Sequence, residues 1–272
     1  MIGRLPRIYV VLSVRAGGNY SIRPQGGFMT PQAMQPATYN PGFEGSTSAT
    51  LDKEQIVNFI EDAGVIPALR VRSAEEALYV AESLAEAGLR VIEISAKAPE
   101  DLSIISHVAS YLPKSIVGAG GITSPAMARR CIDAGARFLT SDALILDTVE
   151  FAANEKMPVV PGAFTPTEIL AAWNAGADFV KVVPCDAAGG ASYIRSIKAA
   201  FPDVRLIAAG GVTQQTALGL IAAGATALGV GRDLIPSEAV RLRQTARIQE
   251  LARRFLNFVD NGRIEAAGRN SA

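Results

Sequence analysis

Eight short, apolar, β-branched segments recur along this chain: Val65 to Leu69, Val91 to Ser95, Ser115 to Ala119, Arg137 to Ser141, Pro158 to Gly162, Phe179 to Val183, Arg205 to Ala209 and Ala225 to Val230. They return about every 20 to 26 residues, the length of one strand, one helix and two short loops. The intervals carry helix chemistry. Ser73-Ala74-Glu75-Glu76 has the spacing of a capping box, Thr165-Pro166-Thr167-Glu168 adds a first-turn proline to a cap, and Ser124-Pro125 opens another helix. Ala87-Gly88, Ala134-Gly135, Ala175-Gly176 and Ala223-Gly224 supply stops at which glycine can turn left-handed. Asp52 to Ala63, with Ile56, Val57 and Ile60 on one face and Gly64 behind it, precedes the first strand as an amphipathic helix. The predicted fold is α/β, a (β/α)8 TIM barrel with an N-terminal helix. With 272 residues and 49% apolar content the chain can build such a barrel, which takes roughly 250 residues as one domain. A doubly wound open sheet is the competing fold, but the first strand is followed by no Gly-x-Gly-x-x-Gly turn.

Residues 1–49 differ from the rest. They are rich in Gly, Pro, Gln, Ser and Asn, with turn-forming clusters such as Arg23-Pro24-Gln25-Gly26-Gly27, and are predicted to be a disordered extension before a barrel domain over residues 50–272. The apolar run Ile8 to Val14 follows basic residues as in a secretion signal, but it is short, and Arg15 follows it without a convincing cleavage site. Lys plus Arg and Asp plus Glu both number 26, so no field of one sign exists to recruit nucleic acid or an anionic membrane, and a small-molecule substrate is expected. The two cysteines, Cys131 and Cys185, offer neither a disulfide framework nor a metal spacing, which fits a reducing cytoplasm. The lone histidine, His107, lies in a helical stretch and leaves no material for a histidine triad or multi-histidine metal site; it is expected on the surface or in helix packing.

Two strands contain charges that an inert core would avoid: Glu93 in Val91-Ile92-Glu93-Ile94-Ser95 and Lys181 in Phe179-Val180-Lys181-Val182-Val183. Barrel strands are buried on both faces, so neither charge reaches bulk water easily. One reading is a self-neutralising buried pair, which adds little net stability because desolvation offsets the Coulomb gain. The other is amine catalysis on a carbonyl. An apolar pocket destabilises an ammonium ion, and the free amine it favours is a nucleophile toward ketones. The resulting iminium draws electrons from the neighbouring carbon so that a carbon–carbon bond can break or form, and a nearby carboxylate can move the protons.

Several motifs now stand in order: Arg70 after the first strand, Val91-Ile92-Glu93-Ile94, Gly118-Ala119-Gly120, Pro161-Gly162 with Thr165-Pro166-Thr167-Glu168, Lys181-Val182-Val183-Pro184, Gly210-Gly211-Val212 and Gly229-Val230-Gly231. Over residues 52–258 the chain resembles the 2-keto-3-deoxy-6-phosphogluconate and 4-hydroxy-2-oxoglutarate aldolase family. The resemblance implies a class I aldolase in which Lys181 forms a Schiff base with pyruvate and Glu93 is the general acid/base, with no metal or cofactor, in a cytoplasmic homotrimer. Arg70, Lys97, Gly120, Gly121, Pro161, Gly210, Gly211, Gly231 and Arg232 are the candidate substrate-binding residues. Loops after the seventh and eighth barrel strands commonly hold phosphate through backbone N–H groups, and Gly210, Gly211, Gly229 and Gly231 fall there, although tight turns would also account for them. Arg232 and Arg70 add cations that could pair with phosphate or carboxylate.

The chain departs from the family pattern at Lys97, where arginine or asparagine is usual, and at Gly121, where threonine is usual. Ser141-Asp142 stands in place of Ser-Pro, Ala209 in place of a frequent threonine, and Arg232 in place of a common serine. Gly121 is expected to leave room for a larger 2-oxo acid, unless a positive φ demands glycine there. Two other readings remain: a phosphate-binding barrel isomerase or synthase, which would need no lysine inside the sixth strand, and a barrel of the same family without catalysis.

Overall fold

The computed structural model describes residues 47–270. The expected extension and the Ile8 to Val14 run lie outside the described residues, except at residues 47–49. There Ser48–Thr50 forms a 3-10 turn, and the Ser48 N–H donates to the Pro113 carbonyl at 2.6 Å. Helix α1 (Lys53–Ala63) follows, capped by reciprocal bonds between Asp52 and Gln55 and stopped by Gly64 at φ 62°.

From there strands and helices alternate: β1 (Val65–Leu69), α2 (Ala74–Glu86), β2 (Val91–Ser95), α3 (Asp101–Tyr111), β3 (Ile116–Gly120), α4 (Pro125–Asp133), β4 (Phe138–Thr140), α5 (Leu146–Asn154) and β5 (Val159–Val160). The second half continues with β6 (Gly162–Ala163), α6 (Pro166–Asn174), β7 (Val180–Val182), α7 (Gly190–Ala200), β8 (Leu206–Ala209), α8 (Ala217–Ala222), β9 (Ala227–Val230), α9 (Ser237–Arg241) and α10 (Thr245–Asn270). All strand pairs are parallel, in the order β5-β4-β3-β2-β1-β9-β8-β7-β6. The strands β5 and β6 are the two halves of the expected fifth strand, parted by Pro161, which has no N–H to give to a ladder. Its carbonyl still accepts from the Lys181 N–H at 2.8 Å, so the ring of eight closes as a TIM-type barrel through a nicked fifth strand.

Helix punctuation follows the sequence with one local difference. Ser73, Ser124 and Thr165 each accept from the backbone N–H three residues on, and Thr165–Glu168 completes a reciprocal box. Glu76 instead accepts from the Arg72 N–H, one residue before the cap, so Ser73–Glu76 makes only half of its box. The four Ala-Gly stops all end in left-handed glycines, Gly88, Gly135, Gly176 and Gly224, with φ from 94° to 107°. His107 packs against Tyr111 on α3 with ring centroids 4.5 Å apart.

Alternation divides the strands between two cores. Ile92, Ile94, Val180, Val182 and Leu228 face the helical layer, whereas Ile66, Val91, Ile116, Phe138, Val160, Phe179, Ile207 and Ala227 fill the barrel interior. Ile56, Val57 and Ile60 of α1 join the interior group, so α1 plugs one end of the barrel. Two residues farther along β2, β4 and β7 the same interior face carries Glu93, Thr140 and Lys181. The bottom of the barrel is thus hydrocarbon, and the next layer up is polar.

Candidate active site

Lys181 extends from β7 into the barrel with 5% of its surface exposed. Its Nζ donates to Thr140 Oγ1 at 3.5 Å and to Asp142 Oδ1 at 2.9 Å. The Thr140 hydroxyl, itself buried on β4, donates to Glu93 Oε2 at 2.8 Å. The direct Lys181–Glu93 pair considered from the sequence is therefore replaced by a chain, carboxylate to hydroxyl to amine, with the ion pair formed by Asp142. The Thr140 hydroxyl thus stands between the two groups, donating to the carboxylate and accepting from the amine.

Glycines make the space for this chain. A Cβ on Gly120 would lie 2.4 Å from Glu93 Oε1, and one on Gly162 would lie 2.4 Å from the Asp142 carbonyl carbon. The second glycine lets the loop after β4 fold over the end of β6. Ser141, which is buried, pins that loop: its hydroxyl donates to the Ala143 carbonyl at 2.7 Å and accepts from the Gly162 N–H at 3.4 Å. Burial, the largest single influence, raises the Asp142 carboxyl. The charge and hydrogen bond of Lys181, with the more distant Lys97 and Arg70, outweigh it and hold the group below its ordinary value.

Lys97 and Arg70, both exposed, thus share one electrostatic neighbourhood with Asp142 and Lys181. The Lys97 stem passes over Gly121, its Cε 3.4 Å from where a Cβ would stand. Gly121 has φ 78°, so its backbone demands glycine, and the room expected there for a larger donor is partly filled by Lys97. Pro161 lies buried between β5 and β6 and contributes its carbonyl to the Lys181 backbone.

The remaining candidates occupy a separate corner of the same strand ends. Gly210 and Gly211 have φ 76° and 87°, and a Cβ on either would strike Pro184 or Asp186, so the turn itself accounts for them. Gly231 is different, because nothing lies within 4 Å of the place its Cβ would take. β8 and β9 pair with Ala209 beside Gly229, so their loops emerge side by side, with Arg232 exposed at the rim. Asp233 accepts from the Gln214 N–H at 3.2 Å and ties the two loops together. A cleft of about 230 Å³ lined by Cys185, Asp186, Gly211, Val212 and Thr216 adjoins them. A cavity of about 340 Å³ lies at the opposite, α1-plugged end, lined by Leu51, Ile56, Arg137 and Met157, away from Lys181.

Thr140, Asp142 and Asp233 are absent from the sequence-derived site. Thr140 had a signal, since it stands two residues after the inward Phe138 on a strand. Asp142 and Asp233 lie on loops, where an acidic side chain is ordinarily solvated and no periodicity marks its direction. Among the described residues no group of three or more His, Cys, Asp or Glu could hold a metal ion, and no helix is long and apolar enough to cross a membrane.

Known proteins resemble this chain in sequence and architecture. The KHG/KDPG aldolase of Escherichia coli K12 is 29% identical over 189 residues, covering 70% of this chain and 89% of the relative. The crystal structure of the KDPG aldolase of Legionella pneumophila, with pyruvate captured at low pH as a covalent carbinolamine intermediate, superposes with a TM-score of 0.66 at 26% identity, covering 70% of this chain and 92% of that one. A cube-shaped protein cage designed by fusing symmetric oligomeric domains contains a chain that superposes with a TM-score of 0.69 at 27% identity, covering 76% of each. The sequence model described as KDPG and KHG aldolase matches residues 56–251. By that match, on a barrel with a lysine amine inside it, the chain belongs to the KDPG and KHG aldolase family of carbon–carbon lyases.

Proposed function

We propose that this class I aldolase works through Lys181, which condenses with the 2-oxo group of its substrate, and that Glu93 moves the proton of the aldol hydroxyl. The substrate class is a 2-oxo-3-deoxy sugar acid or a 4-hydroxy-2-oxo acid, cleaved to pyruvate and an aldehyde. The observation that carries this reading is the buried Nζ of Lys181, linked to Glu93 through the Thr140 hydroxyl. An amine inside a largely apolar barrel can be reached only by a substrate entering at the strand ends, and water is restricted where the iminium must survive.

The steps follow from the groups present. Nζ adds to C2 of the substrate, and loss of water leaves a C=N bond that draws electrons from C3. Glu93 takes the proton from the C4 hydroxyl as the C3–C4 bond breaks, so the aldehyde leaves and an enamine remains. Protonation at C3 and hydrolysis release pyruvate. Lys97, Arg70 and the backbone at Gly120 and Gly121 would hold the substrate carboxylate, Pro161 would line the donor pocket, and Gly210, Gly211, Gly231 and Arg232 would receive the distal anionic end. The open space at Gly231, which no turn geometry requires, supports a ligand passing close to that backbone.

Borohydride in the presence of pyruvate should reduce the imine and attach pyruvate to Lys181, read by peptide mass spectrometry. Labelling of another lysine, or of none, overturns the assignment. Lys181→Ala should stay folded, because Asp142 is exposed and its carboxylate can hydrate, yet lose cleavage activity. Glu93→Gln should keep the label and lose roughly 10²- to 10⁴-fold in turnover.

A homotrimer of a barrel domain over residues 50–272 is part of the same reading, supported by the family resemblance and by the likeness to a chain built from symmetric oligomeric domains. Sedimentation equilibrium should return three times the chain mass. Buried, unpaired Cys131 and Cys185, whose thiols burial pushes up to about 11, support a reducing, cytoplasmic setting.

A further inference from the structure

Glu93 reaches the amine only through Thr140, whereas Asp142 touches it directly. The Asp142 Oδ1 stands 2.9 Å from Lys181 Nζ, and the Asp142 side chain is 58% exposed while the Lys181 side chain is 7% exposed. This contact is built rather than incidental. Gly162 removes the Cβ that would collide with the Asp142 backbone, and buried Ser141 ties the loop on both sides of it.

We propose that Asp142 is a second catalytic acid/base of this enzyme, dedicated to the nitrogen: it takes the proton from Lys181 Nζ and delivers it to the carbinolamine hydroxyl. The proposal rests on Lys181 being the Schiff-base lysine and divides the proton work between two carboxylates.

The proton count closes within the pair. Asp142 takes a proton from the ammonium, and the freed nitrogen lone pair forms the N–C2 bond while the carbonyl π pair moves to oxygen. The Asp142 carboxylic acid protonates that oxygen and then, as carboxylate, removes a second proton from nitrogen. It returns this proton to the C2 hydroxyl as the nitrogen lone pair forms C=N and the C–O bond breaks, releasing water. The ion pair that began as ammonium and carboxylate ends as iminium and carboxylate, with no proton exchanged with solvent. Asp142 then remains as counter-ion to the iminium, within reach of its N–H. Proline, usual at this place by the family resemblance, could do none of this.

The test is the rate at which pyruvate plus cyanoborohydride labels Lys181 in the full-length protein, followed by intact and peptide mass spectrometry. Asp142→Asn is expected to slow labelling about 10²-fold. In Asp142→Ala, which opens the space, added formate should restore a large part of the lost rate, a rescue that a merely structural role would not show. Labelling of Asp142→Asn at Lys181 at the wild-type rate overturns the proposal, as does a folded Asp142→Ala that formate leaves slow. Wild-type protein labelled elsewhere would instead remove the Lys181 assignment itself, so the two failures are told apart.

Discussion

Gly121 shows how one residue can be misjudged without its backbone angles. Beside Lys97 it resembles an emptied threonine position, and filling it would be expected to restore a hydroxyl for the substrate carboxylate. Its φ of 78° changes that expectation, because a β-branched side chain is a severe outlier there and the Lys97 stem already lies 3.4 Å from the Cβ position. Gly121→Thr should lower the free energy of unfolding by about 1 to 3 kcal/mol, measured by urea titration, rather than tighten pyruvate binding. A variant as stable as the parent would show that the loop relaxes. Asp142 is the opposite case: as a letter in the chain it is one more loop acid, and only its 2.9 Å approach to Nζ gives it a role.

Among the elements, α6 has the most explicit start. Thr165 accepts from the Glu168 N–H, and Glu168 Oε2 accepts from the Phe164 N–H at 2.9 Å, the Thr165 N–H at 2.7 Å and the Thr165 hydroxyl at 2.9 Å. The bond from the Phe164 backbone, then those from Thr165, hold the Glu168 carboxyl below its ordinary value. The folded protein therefore binds this proton less readily than the unfolded chain, whose Glu titrates near about 4.3. The stabilisation is fully present above that value and is lost as the pH falls through the lower folded value. Glu168→Gln should flatten this part of the acid limb, seen as a smaller fall in melting temperature between neutral and acid pH than the parent shows. Thr165→Ala, which removes the cap itself, should cost about 0.5 to 2 kcal/mol at neutral pH.

For the whole molecule, closure depends on the two ends of the described chain meeting. Helix α10 packs on α2 and α8, burying Ile248, Ala252, Phe255 and Val259. Its Arg263 donates to the Asp62 carbonyl at 2.9 Å and to that of Glu61, caring for the open carbonyls at the end of α1. Gly64 lets Val259 come where a Cβ would stand at 2.5 Å. The helix that plugs the barrel is thus held by the helix that completes its outer layer. Phe255, fully buried and edge-on to Phe258 at 5.9 Å, is the largest fully buried side chain of α10. Phe255→Ala should cost about 3 to 5 kcal/mol, a large share of a typical net stability of about 5 to 15 kcal/mol, and should be read as a lower urea midpoint.

At every scale the boundary between what was legible and what was not follows the range of the interaction. Strand count, the Ala-Gly stops, the α1 plug, and the placing of Glu93 and Lys181 inside strands depend on repeats of two, about 3.6, or about 20 to 26 residues, which are local in the chain and can be read from it. By itself, then, the sequence determined a (β/α)8 barrel with an amine and a carboxylate in its interior. The Thr140 bridge, Asp142 on the amine, the Asp233 tie and the α10–α1 joint were decided only by the tertiary structure. Each joins residues whose separation obeys no period, and each exists only because barrel closure brings loops and strands from distant parts of the chain within hydrogen-bond reach.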